Sequence, residues 1–392
     1  MIDFDYVNPT RIVFGHKAED KIADVLQGYG FKKALIVYGG GSIKKSGLYQ
    51  NVINKLDEKG ISHVEVSGVK PNPDRHFVLQ GRDLARKENV DCVLAIGGGS
   101  VIDVAKGIAA GYYYDGDPFD FNLHKAVPKK CLPVGSILTI ASAGSESSDS
   151  CVISDEEKHI KSGFNTPLNR PLFTIEDPEL TYSVSPYQTA VGITDIMMHS
   201  LERYFNKSEG EMLSDAWALS LCKDVMSHGL GALKNPESYD DRAALMLDSS
   251  LSHDGLTALG KKAPFVVHPL EHGLSGYKED VAHGAGIAIC YLGWARYVYK
   301  KDTEKFARLA RVLFNVDVED DEKAAIMGIR AMRDFYVSIG MPTSLEEVGI
   351  TENELPILAS LVSGNGTRVI GCCPQSLEQK DILAVYRLCL KA

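Results

Sequence analysis

Asp195 and His199 stand four residues apart in the run Gly192-Ile193-Thr194-Asp195-Ile196-Met197-Met198-His199-Ser200-Leu201-Glu202, and on a helix that interval projects both side chains from one face. Further along, His268-Pro269-Leu270-Glu271-His272 repeats the interval, and Val281-Ala282-His283-Gly284 adds another imidazole. One carboxylate and three imidazoles make a mixed oxygen and nitrogen set that suits a divalent transition metal such as Fe(II), Zn(II), Co(II) or Ni(II). With four protein ligands at most, a position is left for a substrate oxygen, which is how a Lewis-acid site is built. Taken singly, an Asp/His pair on a helix is more often a surface pair, and HxxxH more often incidental. The weight comes from their gathering: four of the eleven histidines fall within residues 253–283. His253 is the stray among them and is left out.

Two glycine turns carry a second chemistry. Ala34-Leu35-Ile36-Val37-Tyr38-Gly39-Gly40-Gly41-Ser42 is an apolar strand running into glycines, and Ile96-Gly97-Gly98-Gly99-Ser100-Val101-Ile102-Asp103 repeats the arrangement. Glycines there let the backbone approach a ligand and turn the N–H groups of a helix N-terminus toward an anion, for which a pyrophosphate is the obvious occupant. Neither turn is G-x-G-x-x-G, so the standard dinucleotide fingerprint is absent. Either turn alone reads equally well as a tight strand-to-helix connection; the pair in one layer favours a nucleotide crevice. NAD sites place a carboxylate on the ribose 2′-OH, and that carboxylate repels a 2′-phosphate. Here the strand ends in Gly39-Gly40-Gly41-Ser42 with Lys44 and Lys45 behind it, so NADP is expected over NAD.

These groups need two different supports. Up to about residue 180, short β-branched runs (34–38, 64–66, 92–96) alternate with glycine turns and helical stretches, the mark of a parallel βαβ layer. From about residue 185 the text becomes long 3.6-period segments, at 186–206, 211–233, 240–260, 279–299, 302–314, 320–339 and 376–391. Ser185 is a good N-cap and Pro186 suits a first helical turn, so the boundary is expected there: an α/β dinucleotide-binding domain over 1–184 and an all-helical metal-binding domain over 185–392. The 392 residues carry 42 basic and 52 acidic side chains, a net charge of −10. That balance argues against a nucleic-acid or anionic-membrane surface. No window is apolar enough to span a membrane, and the start, Met1-Ile2-Asp3-Phe4-Asp5, has no signal-peptide pattern, so a cytoplasmic enzyme is expected. The eight scattered cysteines read as reduced, mostly buried thiols; only the adjacent pair Cys372-Cys373 invites oxidation.

On these residues the chain resembles the iron-dependent, or group III, metal alcohol dehydrogenases, and within them the NADPH-linked butanol dehydrogenase and aldehyde reductase branch. The resemblance covers nearly the whole chain. It runs from Asn8-Pro9-Thr10-Arg11-Ile12-Val13-Phe14-Gly15 through Pro71-Asn72-Pro73, Gly97 to Lys106 and Asp177-Pro178-Glu179-Leu180-Thr181 to the runs 192–202 and 268–284. It implies a Rossmann-like parallel sheet followed by a helical domain, the dehydroquinate synthase-like architecture. It implies Asp195, His199, His268 and His283 as ligands of Fe(II) or Zn(II), with His272 as a proton relay near the nicotinamide. Gly97, Gly98, Gly99 and Ser100 would hold the pyrophosphate, as Gly39, Gly40, Gly41, Ser42 and Lys45 would serve the other turn. Asp103, in a binding and a catalytic capacity, would stand near the nicotinamide ribose and carboxamide, and Lys161 near the same end. Thr139 would contact cofactor from the segment Leu138-Thr139-Ile140-Ala141-Ser142-Ala143-Gly144-Ser145-Glu146, where Ile140 and Ala143 replace two threonines of the family pattern. The interval from His268 to His283 is also one residue longer than that pattern.

The expectation is reversible hydride transfer between NADP(H) and a primary alcohol or aldehyde such as butanol or butanal, in a cleft between the two domains, by a homodimer joined through the N-terminal strand. Two rivals differ in class. A dehydroquinate synthase-like lyase needs a basic pocket, for which only Lys261 and Lys262 are clustered cations. A non-catalytic nucleotide-binding protein would use the histidines only to staple helices.

Overall fold

The structure, a computed structural model, describes residues 1–206 and 213–391. Its strands are β1 (Arg11–Phe14), β2 (Lys33–Tyr38), β3 (Ser62–Val66), β4 (Cys92–Gly97), β5 (Val134–Leu138), β6 (Ser150–Asp155), β7 (Ile160–Asn165) and β8 (Phe173–Glu176). The helices are α1 (Ile22–Gly28), α2 (Ser42–Lys45), α3 (Leu48–Glu58), α4 (Arg75–Glu88), α5 (Gly99–Gly111), α6 (Phe119–Asn122), α7 (Pro186–Tyr204), α8 (Leu213–Lys234), α9 (Tyr239–Ser252), α10 (Val267–Tyr277), α11 (His283–Val298), α12 (Thr303–Phe314), α13 (Asp321–Ser338), α14 (Leu355–Ser363) and α15 (Gln379–Cys389). The chain divides into two compact units, one of residues 7–184 with 237–254 and one of 1–6, 185–236 and 255–392.

In the first unit six parallel strands follow the order β1-β8-β5-β4-β2-β3. The runs Lys33-Ala34-Leu35-Ile36-Val37-Tyr38 and Cys92-Val93-Leu94-Ala95-Ile96-Gly97 are buried almost without interruption, as strands covered on both faces must be. Leu35, Val37, Val93 and Ala95 pack with α4 and α5, whereas Ala34, Ile36, Leu94 and Ile96 pack with α1 and α3. The chain therefore leaves β2 toward one face and β4 toward the other, although these strands are hydrogen-bonded neighbours. Such a reversal opens a crevice at the strands' carboxyl ends, the usual ligand position in open α/β sheets. The two glycine turns sit at that place.

Residues 237–254, read from the sequence as part of the helical half, pack with the sheet unit. The contacts responsible are distant in sequence: Met246 joins the core of the sheet unit, Ser249 Oγ donates to Glu146 Oε1 at 2.9 Å, and Ser250 Oγ lies 2.8 Å from Glu176 Oε1. The expected helix over 240–260 stops at Ser252, followed by Gly255 in the left-handed region (φ 108°). Residues 211–212 of the expected 211–233 segment lie outside the described residues.

In the helical unit, Ser185 Oγ accepts from the Gln188 N–H at 3.2 Å and caps α7 above Pro186. Every residue from Thr189 to Tyr204 is buried, so the polar groups on that helix must find partners inside the protein. No long segment was expected over α10 or α14. α10 is apolar or small around most of its circumference, buried at eight of its eleven positions, and a helix hidden on all sides shows no 3.6-residue alternation. α11 opens with His283-Gly284, and the glycine has a steric reason: a Cβ there would stand 2.2 Å from the Val191 carbonyl oxygen of α7. Without a side chain at 284 the two helices touch backbone to backbone, which brings His283 to α7. No described helix is long and apolar enough to cross a membrane.

Candidate active site

α7, α10 and α11 bring the three imidazoles of the proposed metal site toward one carboxylate, that of Asp195. Asp195 Oδ1 lies 3.3 Å from His199 Nδ1, 3.6 Å from His268 Nε2 and 3.7 Å from His283 Nε2. Asp195, His199 and His268 are buried and offer ligand atoms all within 4.8 Å of one another. His199 Nδ1 is also 3.1 Å from the backbone oxygen of Asp195, one turn back.

Two further carboxylates, assigned no role from the sequence, orient these rings. Glu202 accepts from the backbone N–H groups of Val266 and His268, each at 2.8 Å, and its Oε1 is 3.1 Å from His268 Nδ1. It thus caps the N-terminus of α10, where the helix dipole favours an anion, and claims one nitrogen of His268. The other nitrogen, Nε2, is buried, makes no hydrogen bond and faces Asp195. Glu271, fully buried, pairs in the same way with His283 Nδ1 and leaves Nε2 toward Asp195. A carboxylate behind each imidazole fixes tautomer and ring angle and raises its basicity. The signal was present in the spacing: Glu202 and Glu271 each follow a ligand histidine by three residues on the same helix. Glu202→Ala is expected to weaken metal affinity by about 10–100-fold, read by competition with a chelator; unchanged affinity would remove Glu202 from the site.

The electrostatics favour a cation. Burial acts to raise the Asp195 carboxyl, but His199, His283 and His268 together hold it well below the usual carboxylate range. Burial acts to lower His268, and Asp195 and Glu202 outweigh it, lifting the imidazolium to about 9. The buried carboxylates thus favour positive charge at this place, which a divalent ion would supply. A buried, unbonded imidazole nitrogen beside a buried carboxylate, with two more imidazoles alongside, fits such an ion. His272 is half-buried on α10, its ring centroid 5.8 Å from that of His283, and it groups with Glu271 and His283.

In the sheet unit, Gly39, Gly40 and Gly41 follow β2, and Gly97, Gly98 and Gly99 end β4 and begin α5. Gly98 admits no side chain, since a Cβ would stand 2.2 Å from Ile140 Cγ2; one on Gly99 would stand 3.1 Å from Ala143. The two residues that depart from the family pattern therefore rest on the second turn. Thr139 joins it through its N–H, 3.1 Å from the Gly97 oxygen. Ser42 and Lys45 are exposed, and Ser100 is half-buried. Lys44 lies over the rings of Tyr38 and Tyr49, 5.0 and 4.6 Å from their centroids.

Asp103, on α5, has both oxygens engaged, one by Ser145 Oγ at 2.6 Å and the other by the Val152 N–H at 3.0 Å. Burial raises its carboxyl against the pull of Lys106 and, more weakly, Lys161 on β7. Lys106, to which the sequence assigned no role, is fully buried and donates to Ser145 Oγ, the Ser148 carbonyl and the Ser150 carbonyl at 2.9, 3.0 and 2.8 Å. It ties segment 145–150 to the helix that starts at the second turn. Lys261, half of the cationic pair weighed for a lyase, is buried against Asp215 and donates to the Arg203 carbonyl, so it is spent inside the fold.

Known proteins resemble this chain over nearly its whole length. The family described as "Iron-containing alcohol dehydrogenase" matches residues 9–178, and "Fe-containing alcohol dehydrogenase family, C-terminal" matches 189–390. The NADH-dependent butanol dehydrogenase A of Clostridium acetobutylicum is 39% identical over 389 residues, 99% of each chain. The NADPH-dependent aldehyde reductase YqhD of Escherichia coli is 31% identical over 376 residues, 95% of each chain. The crystal structure of NADH-dependent butanol dehydrogenase A from Thermotoga maritima superposes with a TM-score of 0.96 at 35% identity, covering 100% of this chain and 99% of that one.

Proposed function

Because the chain belongs to the iron-containing alcohol dehydrogenases, oxidoreductases of alcohols and aldehydes, we propose that it interconverts a primary alcohol and its aldehyde, such as butanol and butanal, with NADP(H) and a divalent metal. Asp195, His199, His268 and His283 would hold Fe(II) or Zn(II), both of which this donor set accepts. The observation that carries the reading is the convergence of three imidazoles on the Asp195 carboxylate. When bound, the cation supplies Lewis acidity toward the substrate oxygen and the nicotinamide gives or takes the hydride. The chain's own share is positioning and proton handling. Glu202 and Glu271 hold the His268 and His283 rings in place. The backbone N–H groups of the turns after β2 and β4 bind the cofactor phosphates. His272, at the half-buried edge of the cluster, passes the alcohol proton outward through its imidazole.

Support for NADP is the absence of a carboxylate at Gly39 and the two lysines behind it. The named relatives divide between the cofactors, so the experiment is a panel of alcohols and aldehydes with NADPH and NADH, on enzyme reconstituted with one metal at a time. Higher kcat/KM with NADPH is expected. Gly39→Asp should swing that ratio toward NADH by about 100-fold, because a carboxylate facing a 2′-phosphate costs several kcal/mol. A wild-type preference for NADH overturns the cofactor reading and leaves the metal reading standing. The reading includes a homodimer, supported by β1 as an edge strand of the sheet that bears the exposed Phe14; sedimentation at the mass of a single chain would refute it.

A further inference from the structure

We propose that Cys372 and Cys373 form a reversible oxidation site, a dithiol that low-molecular-weight disulfides convert to an intramolecular disulfide, and that this oxidation loosens the hold on His268. The two Sγ atoms lie 3.5 Å apart. Cys372 is exposed and Cys373 buried, so a reagent meets Cys372 first and Cys373 resolves the product. The Cys372 thiolate attacks one sulfur of the reagent, forming a mixed disulfide and releasing one thiol. The Cys373 thiolate then attacks Cys372 Sγ and releases the second thiol. In balance, two protein thiols become one disulfide, the reagent disulfide becomes two thiols, and the two protons follow the electrons. Elsewhere burial opposes the same reaction: it pushes the Cys131 and Cys389 thiols up to about 12, and those of Cys92, Cys151 and Cys290 well above their usual value. Adjacent residues place their Cα atoms about 3.8 Å apart, short of the roughly 4.4–6.8 Å that disulfides usually span. The bond is therefore strained and easily reduced, as a reversible device requires.

The dithiol touches the support of the metal centre on two sides. Cys372 Sγ is 3.4 Å from Asn206 Oδ1, and the Asn206 amide donates to the Glu202 backbone oxygen at 2.5 Å. Gly371, next in the chain, packs so closely on Val266 that a Cβ would stand 2.2 Å from its Cγ2. The Val266 N–H and the His268 N–H both end on the Glu202 carboxylate, beside His268 Nδ1. Drawing the sulfurs from 3.5 Å to a bond of about 2.05 Å shifts the side chain that meets Asn206 and the loop that rests on Val266.

The test treats metal-loaded protein with glutathione disulfide. It reads the mass of the peptide carrying both cysteines, and the rate at which a chelator removes the metal. The expected product has lost two hydrogens, carries no glutathione and is restored by dithiothreitol; its metal leaves about tenfold faster. In Cys372→Ser and Cys373→Ser, glutathione disulfide should leave that rate unchanged. A glutathione adduct that persists on Cys372 overturns the disulfide, and a disulfide with unchanged metal release overturns the coupling. The coupling rests on the metal reading above. Reduced protein that binds no divalent metal would overturn both together, while the mass still decides the disulfide.

Discussion

Asp195→Ala is expected to lose its bound metal and about three to four powers of ten in kcat/KM, while nicotinamide cofactor binding persists. The magnitude follows from the task given to the cation: Lewis-acid stabilisation of developing charge is worth several kcal/mol, and each 1.4 kcal/mol or so is a factor of about ten in rate. Asp195 is the side chain that all three imidazoles approach, so no neighbouring carboxylate replaces it: Glu202 and Glu271 are committed to the far nitrogens of His268 and His283. Cofactor binding persists because the glycine turns belong to the other compact unit. Asp195 is buried, so loss of fold is a rival explanation for loss of activity. Asp195→Asn preserves the shape and removes the charge, and it should lose the metal with little change in the cofactor's dissociation constant. Full turnover with stoichiometric metal in either variant would end the assignment.

What the sequence disclosed depended on whether the relevant physics was local. Glycine turns after apolar strands are local, and the structure puts both at the reversal point between β2 and β4. Asp195 with His199 is local too, one helical turn on α7. The helix that carries His268 was not legible, because α10 is buried on nearly every side and lacks a polar stripe to give it period. The functions of Glu202 and Glu271 were hidden for a different reason: a carboxylate three residues after a histidine is common on helices, and only the meeting of α7, α10 and α11 shows what it holds. The grouping of 237–254 with the sheet unit was least legible, since Ser249 and Ser250 find their partners 103 and 74 residues away, at Glu146 and Glu176. Hydroxyl donors leave no pattern by which such distant acceptors are recognised.

Those same glutamates yield the largest stability effect expected of a single substitution. Glu146 and Glu176 are buried, and Ser250 Oγ lies 2.9 Å from Glu146 Oε1 and 2.8 Å from Glu176 Oε1. A hydroxyl carries one proton, so both contacts are hydrogen bonds only if one carboxyl keeps its own. Burial is the main cause that lifts Glu176 to about 8, with the charge of Glu146 adding to it, and burial raises Glu146 as well. The folded pKa thus exceeds the ordinary 4.5. Between those two values the folded chain binds a proton that the unfolded chain has released, so stability falls as pH rises from 4.5 toward 8 and levels off above. Glu176→Gln removes the titration, and its amide N–H can donate to Ser250 Oγ, which then donates to Glu146. Thermal unfolding followed from pH 5 to pH 9 should show the variant gaining steadily on the wild type, by on the order of 3 kcal/mol at the alkaline end. Parallel stability curves for the two proteins would mean that no proton is shared between β8 and the segment after β5.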